Sequence, residues 1–222
     1  GQSGGSGRGR VLGETRKRAA ILAVASRLFA EKGYGDTPTS EIAREAGVAE
    51  GTLYHHFGSK DGIFLTIFNE TTDGYLAGIE SLVGEGKPGA ETLHDLIRFH
   101  FGYLGMHARQ FLIILRDFPE HITREKSGSG IVRRKKFSRL TILLAEILER
   151  GAADGTIFLR FSARETAEML RGVLYGTTRH KMLGIIDVSL PRLTAMVEDF
   201  CRQALSPRLP ETGGKKQGGG KP

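Results

Sequence analysis

The sequence predicts an all-α fold, and three observations support that class. Apolar residues recur at every third or fourth position through most of the chain, as they do along one face of an α-helix. Short segments rich in glycine and proline, such as GEGKPG at 84–89, separate these periodic stretches. No segment alternates apolar and polar residues in the manner of a half-buried strand. We therefore expect about nine helices and no sheet.

The first predicted helix runs from about Thr15 to Lys32, and Gly33 follows its end. Its apolar face is formed by Ile21, Leu22, Ala25, Leu28 and Phe29. The preceding residues 1–13 are rich in glycine and arginine, and we expect them to form a flexible basic arm. Such an arm could contact DNA phosphates or a minor groove, or it could simply be a solvated chain end.

Two short helices joined by a glycine turn are predicted within TSEIAREAGVAEGTLYHHFGSK at 39–60. The first runs from Thr39, its expected N-cap, to Ala46. The second runs from Glu50 to Phe57, and Gly47 suits the left-handed residue in the turn between them.

The outer face of this second short helix is small and polar. Leu53 and Phe57 lie four residues apart and are expected to face inward. At ~100° per residue, the positions that then face outward, or flank the outward direction, are Gly51, Thr52, Tyr54 and His55. A glycine among side chains that form hydrogen bonds permits close approach to another polar surface, as a recognition helix in a DNA major groove requires.

Six further helices are expected after this pair, and Ser59 is the expected N-cap of the first of them. Their approximate ranges are 59–83, 91–106, 109–118, 131–153, 162–183 and 190–205, with SGSG at 127–130 as a loop. We predict a DNA-binding domain at 14–58 and a ligand-binding and dimerisation domain at 59–206. A flexible tail is predicted at 207–222.

Charge and cysteine content narrow the class of protein. The net charge of +7 resides in the two chain ends, whereas acidic and basic residues balance between 21 and 206. The longest apolar runs are too short to cross a bilayer, no signal peptide is recognisable, and the single cysteine, Cys201, excludes an internal disulfide. A cytoplasmic protein without a cofactor is the expectation. No metal site is expected, since the adjacent His55 and His56 lie on different helix faces.

Two segments near the N-terminus carry a family resemblance: LFAEKGY at 28–34 and TSEIAREAGVAEGTLYHHFGSKDGIF at 39–64. They resemble the tetracycline-repressor (TetR/AcrR) family of bacterial transcription regulators. The resemblance implies a three-helix DNA-binding head, a helical body with an inducer pocket, and a homodimer built on the last two helices. It also implies a repressor that binds a palindromic operator and is released by a small apolar inducer.

The resemblance assigns the implied DNA contacts to Thr39, Ser40, Glu50, Gly51, Thr52, Tyr54, His55, His56 and Lys60. Of these, Thr39, Tyr54 and Lys60 are expected to bind phosphates. Thr52, His56 and the start of the recognition helix are expected to border base edges. Glu50 has two interpretations, because a carboxylate accepts a hydrogen bond from a cytosine amino group but repels phosphates. It either selects a cytosine or is a solvent-exposed residue favoured by the helix dipole.

The body is expected to hold an apolar inducer pocket and a dimer interface. Candidate pocket residues are Phe68, Phe99, His100, Tyr103, Phe111, Leu115, Phe118, Phe137 and Leu144, although a helical core needs such residues in any case. Candidate interface residues are Leu170, Leu174, Thr177, Leu193, Val197 and Phe200. The two long helices that carry them could instead close a monomeric core.

The cationic run RRKK at 133–136 is predicted to lie at a helix start, where it opposes the helix dipole. It is either a solvated basic face or a contact for a phosphate-bearing ligand such as an acyl-CoA. An enzyme is not expected, because the sequence has no phosphate-binding loop, nucleophile elbow or metal-ligand spacing. A ligand-independent regulator and a helical protein-binding adaptor are the remaining alternatives.

Overall fold

Nine helices account for most of the residues that the computed structural model describes, which are 5–120 and 128–206. Their bounds are α1 Gly5–Lys32, α2 Thr39–Glu45, α3 Glu50–Phe57, α4 Lys60–Gly84, α5 Gly89–Met106, α6 Ala108–Arg116, α7 Gly128–Ala153, α8 Ala163–Met182 and α9 Leu190–Leu205. No strand occurs among these residues, so the predicted all-α class is confirmed. The predicted tail at 207–222 and the first four residues lie outside the described ranges.

Helix α1 begins at Gly5, ten residues before the expected start at Thr15. The prediction of a flexible arm at 1–13 is therefore wrong from Gly5 onward. The glycines of this segment disfavour a helix by about 1 kcal/mol each, so the sequence pattern gave no reason to begin the helix at Gly5. The Thr15 hydroxyl donates to the Val11 carbonyl at 2.9 Å, and Arg18 binds Glu70 of α4 at 2.8 Å.

The corner between α2 and α3 has the expected backbone, but its capping differs from the prediction. Gly47 and Gly58 adopt φ values of 67° and 72°, which only glycine adopts without strain. The expected N-cap Thr39 is instead the first helical residue, preceded by Pro38 with no side-chain cap. The Ser59 cap of α4 is confirmed, because its Oγ accepts a hydrogen bond from the Gly62 amide at 3.0 Å.

The head has its own apolar core, formed by α1 to α3 and the first half of α4. Its largest fully buried side chains are Ile21, Leu28, Phe29, Ile42, Leu53, Ile63 and Phe64. Ile113 of α6 is also fully buried in this cluster, although it lies far along the chain. The core of the head thus draws on residues beyond the predicted boundary at position 58.

The second core joins the rest of α4 to α5, α7, α8 and α9. Helix α7 packs on α4, α5 and α8, while α9 packs on α5. Helix α7 begins at Gly128, so the predicted loop at 127–130 is wrong for 128–130, and residue 127 lies outside the described ranges. Within the described ranges, no helix combines the length and the apolar character that crossing a membrane requires.

Candidate DNA-binding surface and ligand cavity

Helix α3 is anchored by Leu53, which is fully buried, and it turns its opposite side outward. Gly51 and His55 are exposed, as the helical period predicted, and Tyr54 beside them is 46% exposed. No neighbouring atom lies within 4 Å of the point where a Cβ of Gly51 would stand. The outer surface of α3 is therefore open and lacks a side chain at one position.

A hydrogen-bonded chain crosses from α2 to the start of α3. The Thr39 hydroxyl donates to Glu50 Oε1 at 2.7 Å, and it lies 3.1 Å from the Tyr54 hydroxyl. Thr39 is partly buried, and both Glu50 and Tyr54 are exposed. Three of the predicted DNA contacts thus form one connected group, which spacing along the sequence did not indicate.

Lys60, a predicted phosphate contact, forms hydrogen bonds with the turn between α1 and α2. Its Nζ donates to the carbonyls of Tyr34 at 2.9 Å and Thr37 at 3.2 Å, and it lies 4.5 Å from the Tyr34 ring centre. Its ammonium group therefore orders this turn. A phosphate would have to compete with these carbonyl oxygens.

His56 turns towards α1 and away from the outer surface of α3. Its side chain is only 12% exposed, and its Nε2 lies 3.1 Å from Glu14 Oε2 in a contact that lacks hydrogen-bond geometry. Thr52 is partly buried, whereas Ser40 is exposed at the start of α2. The structure thus separates His56 from the other residues predicted to face DNA.

The carboxylates of α2 are neutralised by cations of α1. Glu41 binds Lys32 at 2.6 Å, and Glu45 binds Arg27. The hydrogen bond from Lys32 lowers the pKa of Glu41. Glu50 forms no ion pair with any residue that the structure describes. Pairs this exposed stabilise the fold only slightly, but they leave Glu50 as the carboxylate of this surface without a compensating charge.

A cavity of about 110 Å³ lies among α4 to α8 in the body. Apolar side chains form most of its wall, and its polar neighbours are Thr72, Tyr75, His100, Lys136, Arg171, Tyr175 and Thr178. Five predicted pocket residues line it: Phe68, His100, Phe111, Leu115 and Phe137. The fold thus brings five of the nine predicted pocket residues together around one cavity.

Four predicted pocket residues do not line the cavity. Leu144 is fully buried in the body core, and Phe118 packs its ring edge-on against Phe68 at 5.2 Å between centroids. Phe99 stacks on Tyr75, and the Tyr103 hydroxyl donates to the Thr71 carbonyl at 2.9 Å. These four positions are packing residues because a bundle of this size needs several layers of aromatic and aliphatic side chains.

Three hydrogen-bonded polar residues, Tyr75, His100 and Thr178, line the cavity, and the sequence analysis had predicted only His100 among them. His100 Nδ1 lies 2.7 Å from the Tyr75 hydroxyl, and its Nε2 lies 2.8 Å from the Thr178 hydroxyl. Burial lowers the pKa of His100 to about 4 and raises that of Tyr75. The imidazole is therefore neutral at pH 7, and both of its nitrogens are satisfied within the protein.

The RRKK run lies in the second turn of α7 and the start of the third, because the helix begins at Gly128 rather than near Ile131. The expected conflict with the helix dipole is weaker there, since that effect fades within the first turn. Lys136 Nζ binds Asn69 Oδ1 and Asp73 Oδ1 of α4, each at 2.8 Å. Arg133 lies 5.3 Å from the Phe118 ring centre. Two of the four cations are thus held against the bundle.

Helix α6 touches both the cavity and the head. Phe111, Ile114 and Leu115 line the cavity, while the C-terminal end of α6 contacts the end of α1. Arg116 donates to the carbonyl oxygens of Phe29 at 2.6 Å and Ala30 at 3.1 Å. These carbonyls belong to the last turn of α1, where a cation is favourable.

The predicted dimer interface needs correction. Leu170, Leu174, Leu193 and Val197 are at most 6% exposed, because they pack into the protomer's own core. Thr177 is partly buried, and its hydroxyl donates to the Val173 carbonyl at 2.7 Å. Of the predicted set, only Phe200 is largely exposed, at 53%. The apolar stripe along α8 and α9 therefore faces the core of its own protomer.

An exposed apolar face lies beside that core. It is formed by Phe158, Phe161, Met169 and Phe200, which border one groove, and by Met196 one turn before Phe200. Phe161 and Met169 are each 66% exposed. We refer to these five residues as the α8–α9 face. So many large apolar side chains in one exposed place indicate an interaction surface.

Residues 21–67, which include α2, α3 and most of the core of the head, match the sequence model described as "Bacterial regulatory proteins, tetR family". This segment belongs to the TetR family. The chain is also similar to the transcriptional repressor KstR2 of Mycobacterium tuberculosis, with 29% identity over 147 residues, or 66% of this chain and 72% of KstR2. It is 28% identical to the fatty acid metabolism regulator protein of Bacillus subtilis over 163 residues, or 71% of this chain and 79% of that protein.

Solved structures share the fold of this chain. The transcriptional regulator FadR from Bacillus subtilis, in complex with stearoyl-CoA, superposes with a TM-score of 0.69 at 23% identity, covering 82% of this chain and 96% of FadR. A transcriptional regulator from Saccharomonospora viridis, in complex with choline, gives a TM-score of 0.72 at 21% identity, covering 86% and 98%. At these identities the likeness establishes the fold.

Proposed function

We propose that the chain is a homodimeric transcriptional repressor that binds a palindromic operator and is released by a small apolar ligand. The observation that carries this proposal is the position of α6. Phe111, Ile114 and Leu115 of this helix border the cavity, and Arg116, at its C-terminal end, contacts the head that presents α3. A ligand in the body therefore has a direct mechanical route to the DNA-binding surface.

Operator binding by α3 alone would cover few base pairs, so two copies are needed. The α8–α9 face supplies an apolar surface for a second copy, and a two-fold pairing buries the same residues on both protomers. Two recognition helices in successive major grooves are about 34 Å apart. The homodimer thus sets the spacing of the half-sites.

The cavity favours an apolar ligand. Most of its polar neighbours are engaged within the protein: His100 with Tyr75 and Thr178, Lys136 with α4, and Arg171 with Glu168 at 2.6 Å. A ligand that buried an unmatched polar group here would lose its hydrogen bonds to water without replacement. Hydrocarbon or ring systems fit this lining best.

Ligand binding requires the body to move. The cavity holds about 110 Å³, less than the roughly 150 Å³ of an engineered apolar cavity that accepts benzene. A larger occupant must displace the cavity-lining residues of α6, among others. Displacement of α6 shifts Arg116 and Ile113 against the head and favours a state with the wrong head spacing.

We further propose an acyl-CoA as the ligand. A similar protein regulates fatty acid metabolism, and a solved relative contains stearoyl-CoA. The acyl chain would occupy the enlarged cavity. The exposed cations of the RRKK run lie near the start of α7, a helix that lines this cavity, and would contact the phosphates of the CoA group. KstR2, another similar protein, is a ketosteroid transcriptional regulator, so steroid-like ligands are the comparison class.

The test measures DNA binding and ligand binding separately. Fluorescence anisotropy with DNA flanking the gene reports operator affinity, and thermal shift with acyl-CoAs of graded chain length reports ligand binding. Free CoA and free fatty acids are the controls. We expect long acyl-CoAs to raise the melting temperature and to weaken operator binding. Operator binding that no ligand relieves would favour a ligand-independent regulator, and a complete lack of DNA binding would favour a protein-binding adaptor.

A further inference from the structure

Glu50 stands apart from the other carboxylates of the DNA-binding surface. Glu41 and Glu45 of α2 are each paired with a cation of α1. Glu50 is exposed at the first position of α3, and its contact in the described structure is the Thr39 hydroxyl. The negative charge of Glu50 repels DNA phosphates. If Glu50 contacts DNA, its partner must therefore be a group other than the phosphate backbone.

The number of hydroxyl hydrogens determines which residue donates each hydrogen bond in the series that ends at Glu50. Thr39 has one hydroxyl hydrogen, and it donates this hydrogen to Glu50 Oε1 at 2.7 Å. The 3.1 Å contact between Thr39 and Tyr54 must then be donated by Tyr54. In this arrangement both hydroxyl hydrogens point towards the carboxylate of Glu50.

This arrangement gives Thr39 and Tyr54 a different role from the phosphate contacts that the family resemblance implies. They orient the carboxylate at the N-terminal end of the recognition helix, and the N-terminal residues of such a helix contact base edges. The carboxylate retains free acceptor positions, since an ionised carboxyl group offers about four lone-pair sites.

Among the base edges of the major groove, cytosine presents its amino group as a donor that a carboxylate accepts. We propose that Glu50 reads a cytosine in each operator half-site and that Thr39 positions it. This inference rests on the proposed operator binding. Gly51, the next residue, carries no side chain, and nothing lies within 4 Å of the point where its Cβ would stand.

The first test compares the wild-type chain with Glu50→Gln in selection from a randomised DNA library. The wild type is expected to enrich a palindrome with cytosine at one symmetric position of each half-site. Glu50→Gln should lose this preference by about tenfold and shift it towards adenine, which a glutamine amide binds at two atoms. Glu31→Gln is the matched control, because it removes the same charge from α1, where Glu31 pairs with Arg27.

The second test addresses the positioning role of Thr39. Thr39→Ser keeps the donor and should keep the cytosine preference, whereas Thr39→Val removes the donor and should reduce it, even where overall affinity changes little. An identical enriched sequence for the wild type and Glu50→Gln would overturn the inference and leave operator binding intact. A wild-type chain that enriches no sequence would overturn operator binding and this inference with it.

Discussion

Replacing Gly51 by alanine should make the protein more stable and a weaker DNA binder. The residue lies within α3, is exposed, and has no neighbour within 4 Å of the added methyl group. Alanine is favoured over glycine in a helix by about 0.5 to 1 kcal/mol. For a chain of this size, that gain corresponds to a rise of about 1 to 4 °C in melting temperature.

The same methyl group would stand between the helix backbone and DNA. If the backbone at Gly51 contacts a base edge or a phosphate, the added group removes about one good contact, which lowers operator affinity by about tenfold. Differential scanning fluorimetry measures the stability change, and fluorescence anisotropy on the selected operator measures the affinity. Opposite signs in the two measurements are the expected result.

Gly102→Ala on α5 is the matched control. Gly102 is also exposed within a helix and has open space around its Cα, but it lies in the body. It should raise the melting temperature similarly and leave operator affinity unchanged. If Gly51→Ala also binds the operator with wild-type affinity, the backbone of α3 does not approach DNA closely, and the reasoning about this surface is wrong.

Three further predictions concern the body. Phe200→Glu should convert the dimer to monomers in light scattering, because it places a charge on the α8–α9 face; Met106→Glu, at a residue that is 74% exposed on α5, should not. Arg116→Ala should leave ligand binding in thermal shift intact but reduce the ligand-induced loss of operator affinity at least about fivefold, and an undiminished response would exclude this contact from the coupling. Unfolding free energy should fall as pH drops from about 6.5 to 4, because the unfolded chain binds a proton that buried His100, with its pKa lowered to about 4, does not. His100→Gln should flatten this pH dependence in urea titrations, and an equal slope in both proteins would contradict the assignment.

Local signals in the sequence were sufficient to predict the DNA-binding helices. Helix α3 has the predicted bounds because Gly58 ends it, and α9 has them because Ser189 caps its start and Pro191 suits its first turn. The outward direction of Gly51 followed from the helical period and the inward position of Leu53. Such features depend on residues a few positions apart.

Features that depend on distant residues could not be predicted in the same way. The start of α1 was missed because the glycines before Thr15 lower helix propensity. The dimer residues were misassigned because periodicity does not distinguish a stripe facing its own core from one facing a second copy. The Tyr75–His100–Thr178 group joins three helices and has no local signature.

The most direct test of the central claim places a photo-crosslinker at position 55 on the outer side of α3. His55→Cys creates one accessible thiol, since the natural Cys201 is buried and burial raises its pKa to about 11. On the selected operator, we expect crosslinks to bases in the major groove at two symmetric positions about one helical turn apart. Full operator affinity without crosslinks from position 55 would contradict the account.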